Sequence, residues 1–534
     1  MTTTEALHRE VDAVMAALED AYADAALTPG GVGWLRVHYV PVRRLVARLA
    51  RRLLAMHDPT APCGGPQPLG VAHDSAAIGY VSYDVTDAGV AYVLGLGDED
   101  PPNGPDSTRP QDARLPSGMR STPVCALSWS SRHAATLLPV LAELADRGIA
   151  TTVVDASTDP AQRFPEPHTP QITVVPIPDT LFAHHGGPPL KPPSVHPKGP
   201  TATVGRHEVS LGRLAHLVSQ VLVHSTDCTQ PSWSSVLMAE RWLHAALATL
   251  RPDVLLCSND TSPLGVLAVA AAERAGASTV YVQHGAWTDG QVGWRAQHCR
   301  HVAVMGSRDV LTAHAWTRRT DARTHIVGQP RFDSLADIDR AGQRAYLIEL
   351  LTKQTGLEPA RIAVWACQPF SELRLIDQFD AIAEGLRNTS RRWGLVLAPH
   401  PAQGPSALTA LLDSAQDIAV AVAAPEVGAH GCLAGADALL SASSTCGIEA
   451  LLLDVPVLEL ALPATRTLQL ADHGAAQRCQ SDAEITVALA RIDRTSDTVR
   501  VPAAAKHSIC RWDGRSAVAV ADIVVNAMAE HSTL

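Results

Sequence analysis

The run STVYVQHGAW, residues 278–287, is apolar like a buried strand and closes on a histidine followed by a glycine. A strand that only fills a core ends in ordinary turn residues; one that delivers a side chain to a cleft can end in a base. His284 has the chemistry for this, since an imidazole with an ordinary pKa near 6.5 can take a proton from a hydroxyl. Gly285 lets the backbone turn without a side chain in the way of an acceptor. Asp260, in CSNDTS (257–262), stands at another strand end and is the reserve base, although Asn259, Asp260 and Thr261 would each also serve as a helix cap.

A second set suits phosphate. SASSTCGIEALL (441–452) joins a strand to a helix through Ser443, Ser444 and Thr445. Hydroxyls and free N–H groups at a helix start fit an anion. Capping explains one hydroxyl, and the cluster holds more than capping needs. Glu449 in the next turn could accept from ribose or sugar hydroxyls. In LAPHPAQ (397–403), Pro401 biases His400 toward an extended conformation at a strand end. In VGQPRFDSL (327–335), Arg331 offers a guanidinium to phosphate or carboxylate, or else pairs locally with Asp333. WSSRHAA (129–135) sets His133, with Ser130 and Ser131, either facing an acceptor or starting a helix. AHHGG (183–187) lies in a Pro/Gly-rich loop and reads as a solvated segment.

These residues need strand ends to hold them. The pattern over 116–335 is strand–helix–strand, interrupted by a Pro-rich stretch near 158–200 and two helical segments (about 208–226 and 236–250). A connector spans 336–360. A second alternation runs over 361–534, ending in a helix. Residues 1–115 form an extension of helices, a hairpin over 79–96 and a Pro/Asp-rich linker. The fold expected is α/β: two Rossmann-like domains facing across a cleft (GT-B type), with an N-terminal mostly helical extension. Ligands of open α/β sheets bind at strand C-termini.

With 534 residues the chain is too long for one core, and its net charge of −11 argues against nucleic acid as a partner. Ten scattered cysteines include no CxxC pair. The charged, amphipathic N-terminus is not a signal peptide, and no run reaches the length of a membrane helix, so a cytoplasmic location is expected. VRRLVARLARRLLAMH, with five arginines, leaves membrane association open; a packed helix with a solvated face is the commoner outcome.

The ordered set QHG, GQPRFD, a strand ending in CQP, HP, and SASST-C-GIEA before PVLEL resembles bacterial two-Rossmann transferases of capsule and cell-wall biosynthesis. These include CDP-glycerol glycerophosphotransferases, polysialyltransferases and 3-deoxy-manno-octulosonate transferases. The resemblance covers roughly 255–460 and, loosely, 120–155. It implies a nucleotide-activated donor, CMP- or CDP-linked with UDP left open, and a hydroxyl-bearing acceptor. It implies that His284 and Gly285 lie on the acceptor side, that His400 and Pro401 contact the nucleotide, and that Ser443, Ser444 and Thr445 bind donor phosphate, with Glu449 as a sugar ligand. The first domain has no acidic Asp/Glu-Asp/Glu-Gly motif, which leaves His284 as base. No acidic pair stands near the phosphate set, so neither metal nor other cofactor is expected. Two alternatives stay open. One is a non-hydrolysing sugar-nucleotide epimerase, which would need no acceptor. The other is a non-catalytic carbohydrate-binding or scaffold relative.

Overall fold

The structure, a computed structural model, describes residues 3–55, 71–74, 82–85, 87–95, 115–116, 119–178, 181, 199–224, 233–288, 294–368, 370, 372–389, 392–400, 408, 411–412, 415, 417–463, 465–494 and 501–532. The loop AHHGG and Pro401 lie outside the described residues.

The strands fall in chain order as β1 (Val71–Asp74), β2 (Ser82–Val85), β3 (Val124–Ser128), β4 (Thr151–Asp155), β5 (Ile172–Pro176), β6 (Thr201–Val204), β7 (His207–Ser210), β8 (Val254–Cys257), β9 (Ser278–Val282), β10 (His301–Val304) and β11 (Arg323–Ile326). The second half adds β12 (Arg361–Ala366), β13 (Trp393–Ala398), β14 (Ala419–Val422), β15 (Ala438–Ser441), β16 (Val457–Leu460) and β17 (Gln477–Cys479). Two parallel sheets hold most of them. The first runs β11-β10-β9-β8-β3-β4-β5 and the second β14-β13-β12-β15-β16-β17. Strands such as β3, β8 and β13 are buried throughout, because helices cover both faces, and this is why they read as unbroken apolar runs. The chain is thus α/β, with two Rossmann-like domains of GT-B type and a mostly helical N-terminal extension.

The extension shares a core with the first sheet. Helices Thr3–Tyr22 and Tyr39–Ala55 bury Val14, Leu18, Leu45, Val46 and Leu49 in a cluster that continues into Leu127, Leu255 and Tyr281. Arg43 pairs with Asp12 at 2.5 Å, and Arg44 lies 5.7 Å over the Trp294 ring. The apolar face of the arginine-rich helix is therefore spent on the core. Among the described residues no helix is long and apolar enough to cross a membrane.

Three expectations are corrected. Residues 79–96 are not a hairpin. β2 pairs with β1, and Asp87–Val93 is a helix that buries Val90 and Val93 at helical spacing. The Pro-rich stretch is not an interruption throughout, since it contains β5, the edge of the first sheet, where prolines are tolerated. Nor does 361–534 pack as one unit. The last helix, Ser516–Ser532, buries Val520, Ala521 and Val524 against Val124, Val254 and Val280 of the first sheet. Asp333 fixes that return by accepting from Ser516 N (3.1 Å) and Ala517 N (2.8 Å), so it is a helix cap and not the partner of Arg331. Gly328 of the GQP turn has φ +90°, and a Cβ there would meet Arg511 O at 2.3 Å, so only glycine lets the returning chain pass.

Candidate functional site

Each sheet has one place where the chain reverses its direction of travel. In the first it lies between β3 and β8, in the second between β12 and β15. The loops leaving such neighbouring strands diverge and open a crevice at their carboxyl ends. His133 follows β3, Ser258 and Asp260 follow β8, and His284 ends the adjacent β9. Gln368 follows β12 and Ser443 follows β15.

His284 is half-buried, and its Nδ1 lies 2.5 Å from the carbonyl oxygen of Ser258. A carbonyl only accepts, so Nδ1 carries the proton and Nε2 keeps a lone pair. Among the described residues Nε2 has no protein partner and is not sealed from solvent. Burial pushes the pKa of His284 down to about 4; the Ser258 carbonyl opposes this, and Arg132 and Arg331 add to it. The ordinary value near 6.5 is thereby corrected: the ring is neutral at pH 7. His133, buried, meets it edge-on with ring centroids 4.9 Å apart and rests in turn on Trp129 at 4.5 Å.

The glutamine of QHG explains how the strand end is held. Gln283 is fully buried. Its Oε1 accepts from Met305 N (2.7 Å), and its Nε2 donates to Gly285 O (3.1 Å) and Asp309 Oδ2 (3.2 Å). Gln329 of GQP donates to Gln283 O at 2.7 Å. Both motif glutamines thus brace the turn that presents His284. Burial raises the pKa of Asp309 to about 6, with Arg308 and the Gln283 bond opposing.

Asp260, the reserve base, is not in the crevice. It is fully buried, and its Oδ2 accepts from His298 N (2.7 Å) and Cys299 N (2.8 Å). Burial raises its pKa, the two amides opposing. It ties the 298–299 loop to the sheet, and Asn259 Oδ1 accepts from Thr261 N and Ser262 N in the turn just before the helix Pro263–Arg274. This corrects its assignment to catalysis.

On the second wall, Gln368 grips Ser443 twice: Nε2 donates to Ser443 Oγ (2.7 Å) and Oε1 accepts from Ser443 N (2.8 Å). Ser444 Oγ accepts from Cys446 N at 3.3 Å. Thr445 Oγ1 accepts from Ala286 N, two residues past His284, at 3.4 Å. Gly285 lies in the same contact, since a Cβ there would stand 3.9 Å from Thr445 Oγ1. Each hydroxyl oxygen is used as an acceptor, which leaves its own O–H free to donate. The helix they start, Cys446–Leu452, has seven residues, so the hydroxyl donors carry the case for an anion more than a dipole does. His400 is half-buried at the end of β13, and burial, then Arg132, lowers its pKa to about 4. Among the described residues no three His, Cys, Asp or Glu side chains stand together as metal ligands.

Arg331 and Glu449 pair with each other. Arg331 Nη2 meets Glu449 Oε1 at 3.0 Å, and His430 Nδ1 meets Oε2 at 2.8 Å. The bond to Glu449 raises the pKa of His430, burial opposing. The three residues join the GQPRF turn to the second sheet's helix, and sequence reading missed His430 because its partner is 19 positions away. Replacing Glu449 by Ala strands Arg331 and should cost about 3 kcal/mol, the low end for breaking a buried pair, because a fifth of the Arg331 side chain is exposed. Thermal unfolding should shift down by several degrees. The His430 share is present below pH about 6.5 and fades as pH rises through its raised pKa. An unchanged melting temperature with weakened nucleotide binding would return Glu449 to the role of ligand.

No family model matches the sequence, and no curated protein matches it. Solved structures with a similar fold include the UDP-GlcNAc 2-epimerase of Methanocaldococcus jannaschii, at 12% identity and TM-score 0.48 over 76% of this chain and 99% of that one. MurG of Acinetobacter baumannii is 11% identical with TM-score 0.42, over 76% and 99%. The wall teichoic acid polymerase TagF is 10% identical with TM-score 0.42, over 77% and 90%. Such values carry no argument about activity, which rests on the geometry above.

Proposed function

We propose that the protein transfers a sugar, or a polyol phosphate, from a nucleotide-activated donor to an acceptor hydroxyl. The observation that carries this reading is the meeting of two strand-end loops: the turn bearing His284 touches the hydroxyl turn 443–445 through Ala286 N and Thr445 Oγ1. A base and a set of O–H donors from different sheets thus share one crevice, the arrangement group transfer needs. The acceptor O–H gives its proton to His284 Nε2 while its oxygen attacks the sugar carbon or the phosphorus of the donor. The bond from that centre to the nucleotide's phosphate oxygen breaks, and the nucleotide leaves with the electron pair. Ser258 O stabilises the imidazolium through Nδ1–H, and O–H groups at 443–445, together with His400 at the end of β13, serve the departing phosphate. No step of this sequence requires a metal.

The test is a melting-temperature screen against CMP, CDP, UDP and GDP. A ligand that binds only the folded state raises the transition, by about 2.7 kcal/mol of stability at a hundredfold excess over Kd. One of the four should do so clearly, and a diphosphate more than its monophosphate. A flat response to all four would sink the reading.

A further inference from the structure

We propose that Arg132 and His133, at the first turn of the helix Ser131–Asp146, form a second anion site on the first wall that takes a phosphoryl group of the substrate beside His284. This deepens the reading above, on which its role in transfer rests.

The helix has sixteen residues, and its first turn lies against the catalytic candidate, since the His133 ring is 4.9 Å from that of His284. Two of its leading N–H groups are used: Ser131 N donates to Gln162 Oε1 (3.0 Å) and His133 N to Ser130 Oγ (3.3 Å). His133 is 3% exposed, yet its Nδ1 is buried with no hydrogen-bond partner. Its Nε2 also has no protein partner among the described residues and is not sealed, so this is the nitrogen an incoming group can reach.

Arg132 supplies the charge. It is exposed and, among the described residues, its guanidinium has neither hydrogen-bond nor ion-pair partner. Several surface arginines are paired, Arg147 with Glu143 and Asp522, Arg319 with Asp321, and Arg387 with Asp417. The charge of Arg132 lowers the pKa of His133, His284 and His400, behind burial in each case. A guanidinium fork matches phosphate in a bidentate way that lysine does not. The residue was present in WSSRHAA, but nothing in its spacing separated it from an ordinary surface arginine.

The experiment is arginine labelling of the full chain with phenylglyoxal, read by peptide mass. Inorganic phosphate should slow modification of Arg132 several-fold and leave Arg120, exposed ahead of β3, unchanged. Protection should persist in a Ser444→Ala/Thr445→Ala variant. By calorimetry, Arg132→Gln should lose phosphate binding at this site and Arg132→Lys should weaken it. Further protection by phosphate on top of saturating nucleotide would place the group on the acceptor; protection by nucleotide alone would place it on the donor. Equal Arg132 rates with and without phosphate, or protection that vanishes in the 444/445 variant, would overturn the site. If no nucleotide binds the protein, the transfer reading fails while the phosphate result at Arg132 still stands or falls separately.

Discussion

His284→Ala should lower saturating turnover by about 10²–10⁴, the usual loss when general acid–base help is removed. Nucleotide affinity should barely move, because the hydroxyl turn 443–445 belongs to the other sheet. The pH profile makes the assignment specific. With its pKa pushed to about 4, Nε2 is unprotonated down to that pH, so the acid limb of the native rate should fall near pH 4 and not near 6.5. That limb should vanish in the variant. Stability moves in the same direction: between pH 6.5 and 4 the unfolded chain binds a proton that the folded one refuses, so the native protein loses stability as pH falls through this window. His284→Ala should lessen that loss. A variant with near-normal turnover would remove His284 from the chemistry, and Asp260, walled in behind two amides, is no longer there to replace it.

What could be read beforehand follows from the range over which each interaction acts. Parallel strands buried on both faces print their burial directly into sequence as apolar runs, so β3, β8, β9, β12 and β13 stood out, and with them the residues at their ends. Short edge strands print little. β5 carries two exposed positions in five and sits among prolines, so its sequence does not mark a strand. Partnerships across the chain were invisible for a different reason. Glu449 has the same identity whether it binds ribose or faces Arg331, 118 positions earlier; only the fold decides. Gln283 and Gln329 stand in two separate motifs, and neither motif shows that one braces the other over 46 positions. The returning helix Ser516–Ser532 reads as any amphipathic end, and its destination depends on Asp333 and Gly328, residues that look like turn chemistry alone.

Replacing Ser444 and Thr445 together by Ala should weaken nucleotide binding at least a hundredfold. Each O–H that meets a charged oxygen contributes about 1.5–3 kcal/mol, and a tenfold change takes about 1.4. The geometry makes the pair a clean target. Ser443 is clamped by Gln368, so its position survives the change, and both replaced side chains are half-exposed, which keeps the stability cost small. Two structural contacts go with them, the Ser444 oxygen that Cys446 N uses at 3.3 Å and the Thr445 oxygen that Ala286 N uses at 3.4 Å, both long bonds whose removal costs little beside a charged contact. Thr445→Ser is the control, because it restores the hydroxyl and removes only the methyl group, so any recovery belongs to the O–H. If affinity falls in the double variant and returns in part with Thr445→Ser in the Ser444→Ala background, the turn binds phosphate. If calorimetry finds native affinity in the double variant, the hydroxyls only cap the helix Cys446–Leu452 and meet the facing loop, and the donor must sit elsewhere in the crevice.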